Sequence, residues 1–128
     1  MNGSKSGITI AGSIIADKYH EIDTYPSLGF LTHVHSTSFN VGGVGNIILD
    51  LAKLDSKLQI KVCTIVGNDD AGEHIIKALK AFPNINTEGV TIEGESSVTL
   101  VMNPEDTKQR TFFYIPGASD VFDESYPF

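Results

Sequence analysis

Residues 8–16 read Ile-Thr-Ile-Ala-Gly-Ser-Ile-Ile-Ala, an almost unbroken run of apolar and β-branched side chains. A half-exposed strand alternates polar and apolar residues. A continuous run of this kind belongs to a strand covered on both faces, as in a parallel sheet flanked by helices. A second such run, Ile60 to Val66, follows later in the chain. Each precedes a segment of helical periodicity or leads towards one, and strand–helix alternation predicts an α/β fold with a parallel sheet.

The helical segments are distinct. Ile47, Leu51 and Leu54 recur at i, i+4 and i+7, with Ile48 and Ala52 widening the stripe. Ala71, Ile75, Ala78, Leu79 and Phe82 line a second helix, with Asp69 or Asp70 as N-cap and Pro83-Asn84 as its end. Tyr19–Tyr25 and Val34–Val41 alternate in polarity and read as half-exposed antiparallel strands. Val90–Glu93, Val98–Met102 and Arg110–Ile115 read as further strands, with a polar hairpin turn over Asn103–Gln109. The polar strands do not fit inside a covered sheet and predict a small accessory sheet beside it. The chain closes on Asp123-Glu124-Ser125-Tyr126-Pro127-Phe128 without a final helix, so two crossover helices cover the sheet thinly. The architecture reads as incomplete.

Composition narrows the function. Nine basic against sixteen acidic residues give a net charge of −7, which argues against a general nucleic-acid binder and an anionic-membrane binder. Ile8–Ala16 is about half the length of a membrane-spanning helix. Lys5 ahead of it mimics a signal peptide, but Asp17 closes the run and no small-x-small cleavage site follows. Asn2-Gly3-Ser4 matches a glycosylation sequon and reads as trivial in a terminus. The single cysteine, Cys63, rules out an internal disulfide and fits a reducing, cytoplasmic setting. It sits mid-strand and reads as inert core.

Three segments carry candidate chemistry. Val41-Gly42-Gly43-Val44-Gly45-Asn46 joins a strand to a helix. Glycines there permit a tight turn and close approach of a ligand, and a helix N-terminus offers N–H donors. Asn46 can donate and accept, or simply cap the helix. The third glycine of a dinucleotide fingerprint is replaced by Ile48, and no Gly-Lys-Ser/Thr follows, so neither a Rossmann nor a P-loop motif is present. Asp17 closes the first apolar run, where α/β sheets gather ligands, and its carboxylate can accept from two hydroxyls. Gly67-Asn68-Asp69-Asp70-Ala71-Gly72 reads as a turn with a helix cap. His33-x-His35 shares one strand face, but no Cys or carboxylate completes a metal set at familiar spacing, so no metal site is read.

Four segments in order resemble the PfkB carbohydrate kinases, the ribokinase-like sugar kinases. They are Gly12-Ser13-Ile14-Ile15-Ala16-Asp17; Gly42-Gly43-Val44-Gly45-Asn46 with Leu51-Ala52-Lys53-Leu54; Val66-Gly67-Asn68-Asp69-Asp70-Ala71-Gly72; and Arg110-Thr111-Phe112-Phe113-Tyr114-Ile115-Pro116-Gly117-Ala118. The resemblance implies an α/β ribokinase-like (Rossmann-like) central sheet with flanking helices and a small β lid. Residues 1–128 would be the N-terminal part of one such domain, with lid strands near 18–41 and 97–115. It implies phosphoryl transfer from ATP, with Mg2+, to a sugar or nucleoside hydroxyl. Asp17, Gly42, Gly43 and Asn46 match sugar-holding positions, and Arg110 lies on a strand that reaches the site in some members. The turn between the paired glycines and Asn46 is one residue shorter than the family pattern. Ile15 stands where ribokinases often carry an Asn, which leaves the sugar open.

The family's Gly-Ala-Gly-Asp run, with its catalytic base and anion hole, is absent from these residues. No catalytic residue is therefore assigned here, the nucleotide contacts are unassigned, and the 128 residues alone are expected to be inactive. The resemblance also implies a homodimer through the lid strands. The competing reading is a non-catalytic sugar-binding or dimerisation module. A dinucleotide-binding oxidoreductase is a third, opposed by the missing glycine.

Overall fold

The run over residues 8–16 is not one strand. In the computed structural model, which describes residues 6–121, it is cut at Gly12-Ser13 into β1 (Ile8–Ala11) and β2 (Ile14–Ile22), which enter different sheets. Packing decides the break. A Cβ on Gly12 would lie 2.8 Å from Val44 Cγ1, and the Ser13 carbonyl accepts from the Val44 N–H at 3.1 Å. Gly12 N–H still bonds to Cys63, while Ala16 N–H already bonds to Ser97, so the backbone changes partners across the bend. Asp17 is therefore the fourth residue of β2, not the end of the first strand.

The remaining elements are β3 (Val34–Gly43), α1 (Val44–Leu54), β4 (Ile60–Val66), α2 (Asp70–Lys80), β5 (Ile85–Ile92), β6 (Val98–Pro104), β7 (Thr111–Ile115) and a 3-10 turn over Ala118–Val121. The fold is mixed α/β. One sheet is parallel, with order β1-β4-β5; the other is mixed, with order β3-β2-β6-β7. In the second, β2 runs antiparallel to β3 and parallel to β6. The accessory strands expected from polarity alternation thus form a sheet of their own. β2 stops at Ile22, short of Tyr25. β5 begins five residues earlier than its apolar stretch, because Ile85 and Asn86 pair with Ile60 and Lys61 before a bulge. The sequon and the Asp123–Phe128 ending lie outside the described residues.

One core serves both sheets. It joins Ile14, Ala16 and Val41 of the mixed sheet to Ile60, Val62 and Val66 of β4, Ile48 and Ala52 of α1, and Ile75 and Leu79 of α2. The face of α1 differs from its periodicity. Gly45, Ile48 and Ala52 are buried, whereas Ile47 is 56% and Leu54 82% exposed. The phase is set by Gly45, whose Cα faces Val41 so closely that a Cβ would lie 2.2 Å from its Cγ1. Cys63 is buried as expected. Neither helix is long and apolar enough to cross a membrane.

Asp69 starts α2 and does more than cap it. Its carboxylate accepts from Gly72 N–H (2.9 Å), Ser96 N–H (2.7 Å) and Ser96 Oγ (2.7 Å), and Ser96 Oγ in turn accepts from Gly67 N–H (2.9 Å). The Val66–Gly72 turn is thus tied to the β5–β6 connection. Burial pushes the Asp69 carboxyl up, but the bonds from Ser96 and Gly72 outweigh it and hold it below the ordinary 3.8. A depressed folded-state value means stability that is present at neutral pH and lost as pH falls through that value. Asp69→Ala is expected to cost about 2 kcal/mol in urea denaturation at neutral pH. The gap to wild type should close in acid below 3.8; a pH-independent gap would reject the charged-cap account.

Candidate acceptor-binding site

Strand alternation puts Ile15, Asp17, Tyr19 and Glu21 on one face of β2 and the core residues Ile14 and Ala16 on the other. Register then builds the polar face. Asp17 lies opposite Asn40 on β3 and Thr99 on β6, and Thr99 lies opposite Tyr114 on β7. Four strands therefore contribute one row, Asn40-Asp17-Thr99-Tyr114. Above it run Ser38, Tyr19, Val101 and Phe112, and beyond these Ser36, Glu21 and Asn103. Asn103 Nδ2 donates to both Glu21 oxygens, at 3.0 and 2.8 Å. Tyr114 donates to Asp120 at 2.7 Å, which also accepts from Gly117 N–H and so holds the turn after β7.

The five residues singled out from sequence divide as follows. Asp17 and Gly42 touch: a Cβ on Gly42 would sit 2.5 Å from Asp17 Oδ2, so only glycine leaves the carboxylate its place. Gly43 is the N-cap of α1, with φ 65° and ψ −142°, and no side chain caps that helix. Asn46 is consequently not the cap but the third helical residue, exposed in the first turn. No acidic side chain occupies that turn, so its N–H end stays electropositive. Arg110 precedes β7, and its Nη1 approaches the Tyr19 hydroxyl at 3.3 Å, with the guanidinium 5.9 Å from the Phe112 ring. Arg110 thus stands on the Asp17 face, one row away through Tyr19.

Burial pushes the Asp17 carboxyl above 3.8, with the Thr99 hydroxyl pulling the other way. Beyond the bond from Thr99, an ionised carboxylate here has further lone pairs that can accept from hydroxyl groups. Asn40, Tyr19, Thr99 and Tyr114 were not singled out from sequence. Only the register reveals them, although the Ser/Thr-rich alternation of Val34–Val41 marks one polar face. A hollow of about 300 Å³ lined by Gly7, Thr9, Gln59, Lys61 and Asn86 lies at the starts of β1 and β4 and involves none of these groups.

The sequence profile of the pfkB family carbohydrate kinases matches residues 8–126. The chain belongs to the PfkB family. Among curated relatives, the bifunctional protein HldE of Helicobacter pylori (strain G27) is 34% identical over 98 residues, which are 73% of this chain and 20% of that protein. Arabidopsis thaliana ribokinase, solved with ribose and ATP, superposes with a TM-score of 0.76 at 24% identity, over 90% of this chain and 37% of that one. The nucleoside kinase of Methanocaldococcus jannaschii gives 0.72 at 18% identity, over 91% and 39%. These likenesses establish the ribokinase fold, and the PfkB chain spans a fifth of the curated relatives it matches.

His33 and His35 gain partners that spacing did not reveal. Asp23 and Glu105 arrive from the end of β2 and from the turn after β6, and Asp23 hydrogen-bonds His35. That bond, then the Asp23 charge, holds His35 above its ordinary value.

Proposed function

We propose that the protein to which this chain belongs transfers a phosphoryl group from ATP to a hydroxyl of a sugar or nucleoside, and that these residues bind the acceptor. The observation that carries this is the Asp17 carboxylate laid against Gly42, on an open polar face, immediately before an uncapped helix. Asp17 accepts from two adjacent hydroxyls of the acceptor. Asn46 and the first-turn N–H groups of α1 donate to its oxygens, and Gly42 and Gly43 let it approach the backbone. The four-stranded sheet, covering the regions 18–41 and 97–115, acts as the lid. Its role is positioning and exclusion of water, which supplies much of the barrier reduction in phosphoryl transfer. Arg110, held over Tyr19, reaches the acceptor or its phosphate from the lid.

The turn at the head of α1 does not fit a nucleoside triphosphate or its Mg2+. The Gly43–Asn46 turn is followed by no cation before Lys53 in the last turn of α1. ATP, Mg2+ and the catalytic base are accordingly assigned to sequence beyond this chain. The test is a screen of the intact natural gene product with ATP against sugars and nucleosides. Phosphate transfer by the intact product and none by residues 1–128 is expected. Acceptor binding without transfer by the intact product would instead establish the non-catalytic module. One feature favours that second reading: β3 is an edge strand whose Val34–Ser38 stretch is exposed, a surface suited to pairing with a second copy.

A further inference from the structure

The far end of the four-stranded sheet gathers metal-binding side chains that the acceptor site does not use. β2 ends at Ile22, β3 starts at Val34 and β6 ends at Pro104. Backbone bonds hold these ends together: Asp23 N–H donates to His33 O at 3.3 Å, and Glu105 N–H donates to Ile22 O at 2.9 Å. On this frame Asp23, His35 and Glu105 each present one ligand atom, all within 4.8 Å of one another. His35 Nε2 bonds Asp23 Oδ1, and His33 Nδ1 lies 3.5 Å from Asp23 Oδ2.

We propose that Asp23, His35 and Glu105, with His33 as fourth ligand, bind one divalent transition-metal ion of the zinc type. Two imidazole nitrogens and two carboxylates are a borderline donor set, suited to Zn2+, Co2+ or Ni2+ rather than to the oxygen-seeking Mg2+ or Ca2+. Ligand atoms around a tetrahedral zinc ion lie roughly 3.3 Å apart, so this group must contract around the ion. Its side chains are exposed and free to make that adjustment. The ligands come from three separate segments, which makes the ion a cross-link. It closes the 23–33 loop on itself and fastens it to the turn after β6. That loop carries Leu28, Phe30 and Leu31, exposed by 99%, 78% and 80%, and has little packing to hold it. Asp23 lies six residues along the chain from Asp17, roughly 20 Å of extended backbone, so the ion does not touch the acceptor site. Its role is structural.

The alternative is an exposed histidine–aspartate pair, which binds no metal and contributes little. Calorimetric titration of the untagged, chelator-stripped protein with Zn2+ separates the two. One ion per chain is expected, unaffected by excess Mg2+, and Co2+ in its place should give the visible absorption of a low-coordinate site. His35→Ala, Asp23→Asn and Glu105→Gln should each weaken Zn2+ by more than about 10-fold, the scale at which even outer-sphere partners act. His74→Gln, beside Phe39 and outside the cluster, should leave it unchanged. Should His35→Ala fail to fold by circular dichroism, the two isosteric carboxylate variants carry the test. Absence of stoichiometric binding, or equal weakening by His74→Gln and the cluster variants, would overturn the proposal. Neither result bears on the kinase reading.

Discussion

Gly43→Ala is expected to lower folding stability by about 3 kcal/mol, a large part of what a domain of this size has to lose. Two effects combine. The residue sits at φ 65° and ψ −142°, a region that side chains rarely enter. A Cβ there would also lie 2.3 Å from the Ser13 carbonyl oxygen, a backbone atom that cannot rotate away. That oxygen accepts from Val44 N–H, so any retreat breaks the start of α1 and the bend that parts β1 from β2. Gly29 supplies the comparison. Its φ is 81°, but a Cβ there meets nothing within 4 Å. Gly29→Ala should cost about 1 kcal/mol, the conformational part alone. Urea denaturation of both variants reads the difference. Equal losses would mean that Ser13 yields, and that the close approach at the head of α1 does not hold the sheet switch.

That switch shows why sequence reading reached some elements and not others. α2 was legible because its signals are local: Asp69 caps, Ile75 and Leu79 face inward, and Pro83 follows. β3, β4 and β6 were legible from alternation or continuous apolarity for the same reason. The break at Gly12-Ser13 was not, because residues 8–16 read as one apolar run, whereas β1 is an edge strand with Ile8 and Ala11 exposed and only Ile10 packed on the core, and the partner that forces the bend is Val44, distant in sequence. The phase of α1 failed similarly. Ile47 and Leu54 are apolar enough to mimic a core stripe, but Gly45 against Val41 decides which side turns inward. At the candidate site, motif spacing pointed to Asp17, the glycines and Asn46. It could not pair Asp17 with Asn40, Thr99 and Tyr114, because a row across a sheet is a property of register. The carboxylates beside His35 were hidden likewise, one of them lying a whole sheet away in sequence.

Asp17→Asn should lower kcat/KM for the acceptor by about 10³-fold, close to 4 kcal/mol of lost transition-state binding, without lowering stability. Hydrogen bonds to a charged carboxylate are each worth about 1.5–3 kcal/mol, so two account for the expected loss. Asparagine keeps the shape and fits against Gly42, but it replaces one acceptor oxygen with a donor, which faces the acceptor's hydroxyls the wrong way. The stability side follows from sign. Burial raises the folded-state value of Asp17 above 3.8. A raised carboxyl costs the folded state stability while it is ionised, and the cost is relieved as pH falls through the raised value. A neutral amide carries no such cost at neutral pH, so the Asn variant should melt at or above wild type. In wild type the acceptor's affinity should fall on the acid side at a higher pH than an ordinary aspartate would allow, and the Asn variant should lack that limb. Turnover measured against acceptor concentration and pH, with thermal melts of both proteins, separates the outcomes. Loss of stability together with activity would make Asp17 a structural residue. Unchanged activity in a stable variant would remove it from the proposed acceptor site, leaving the Arg110–Tyr19 side of the four-stranded sheet as the candidate.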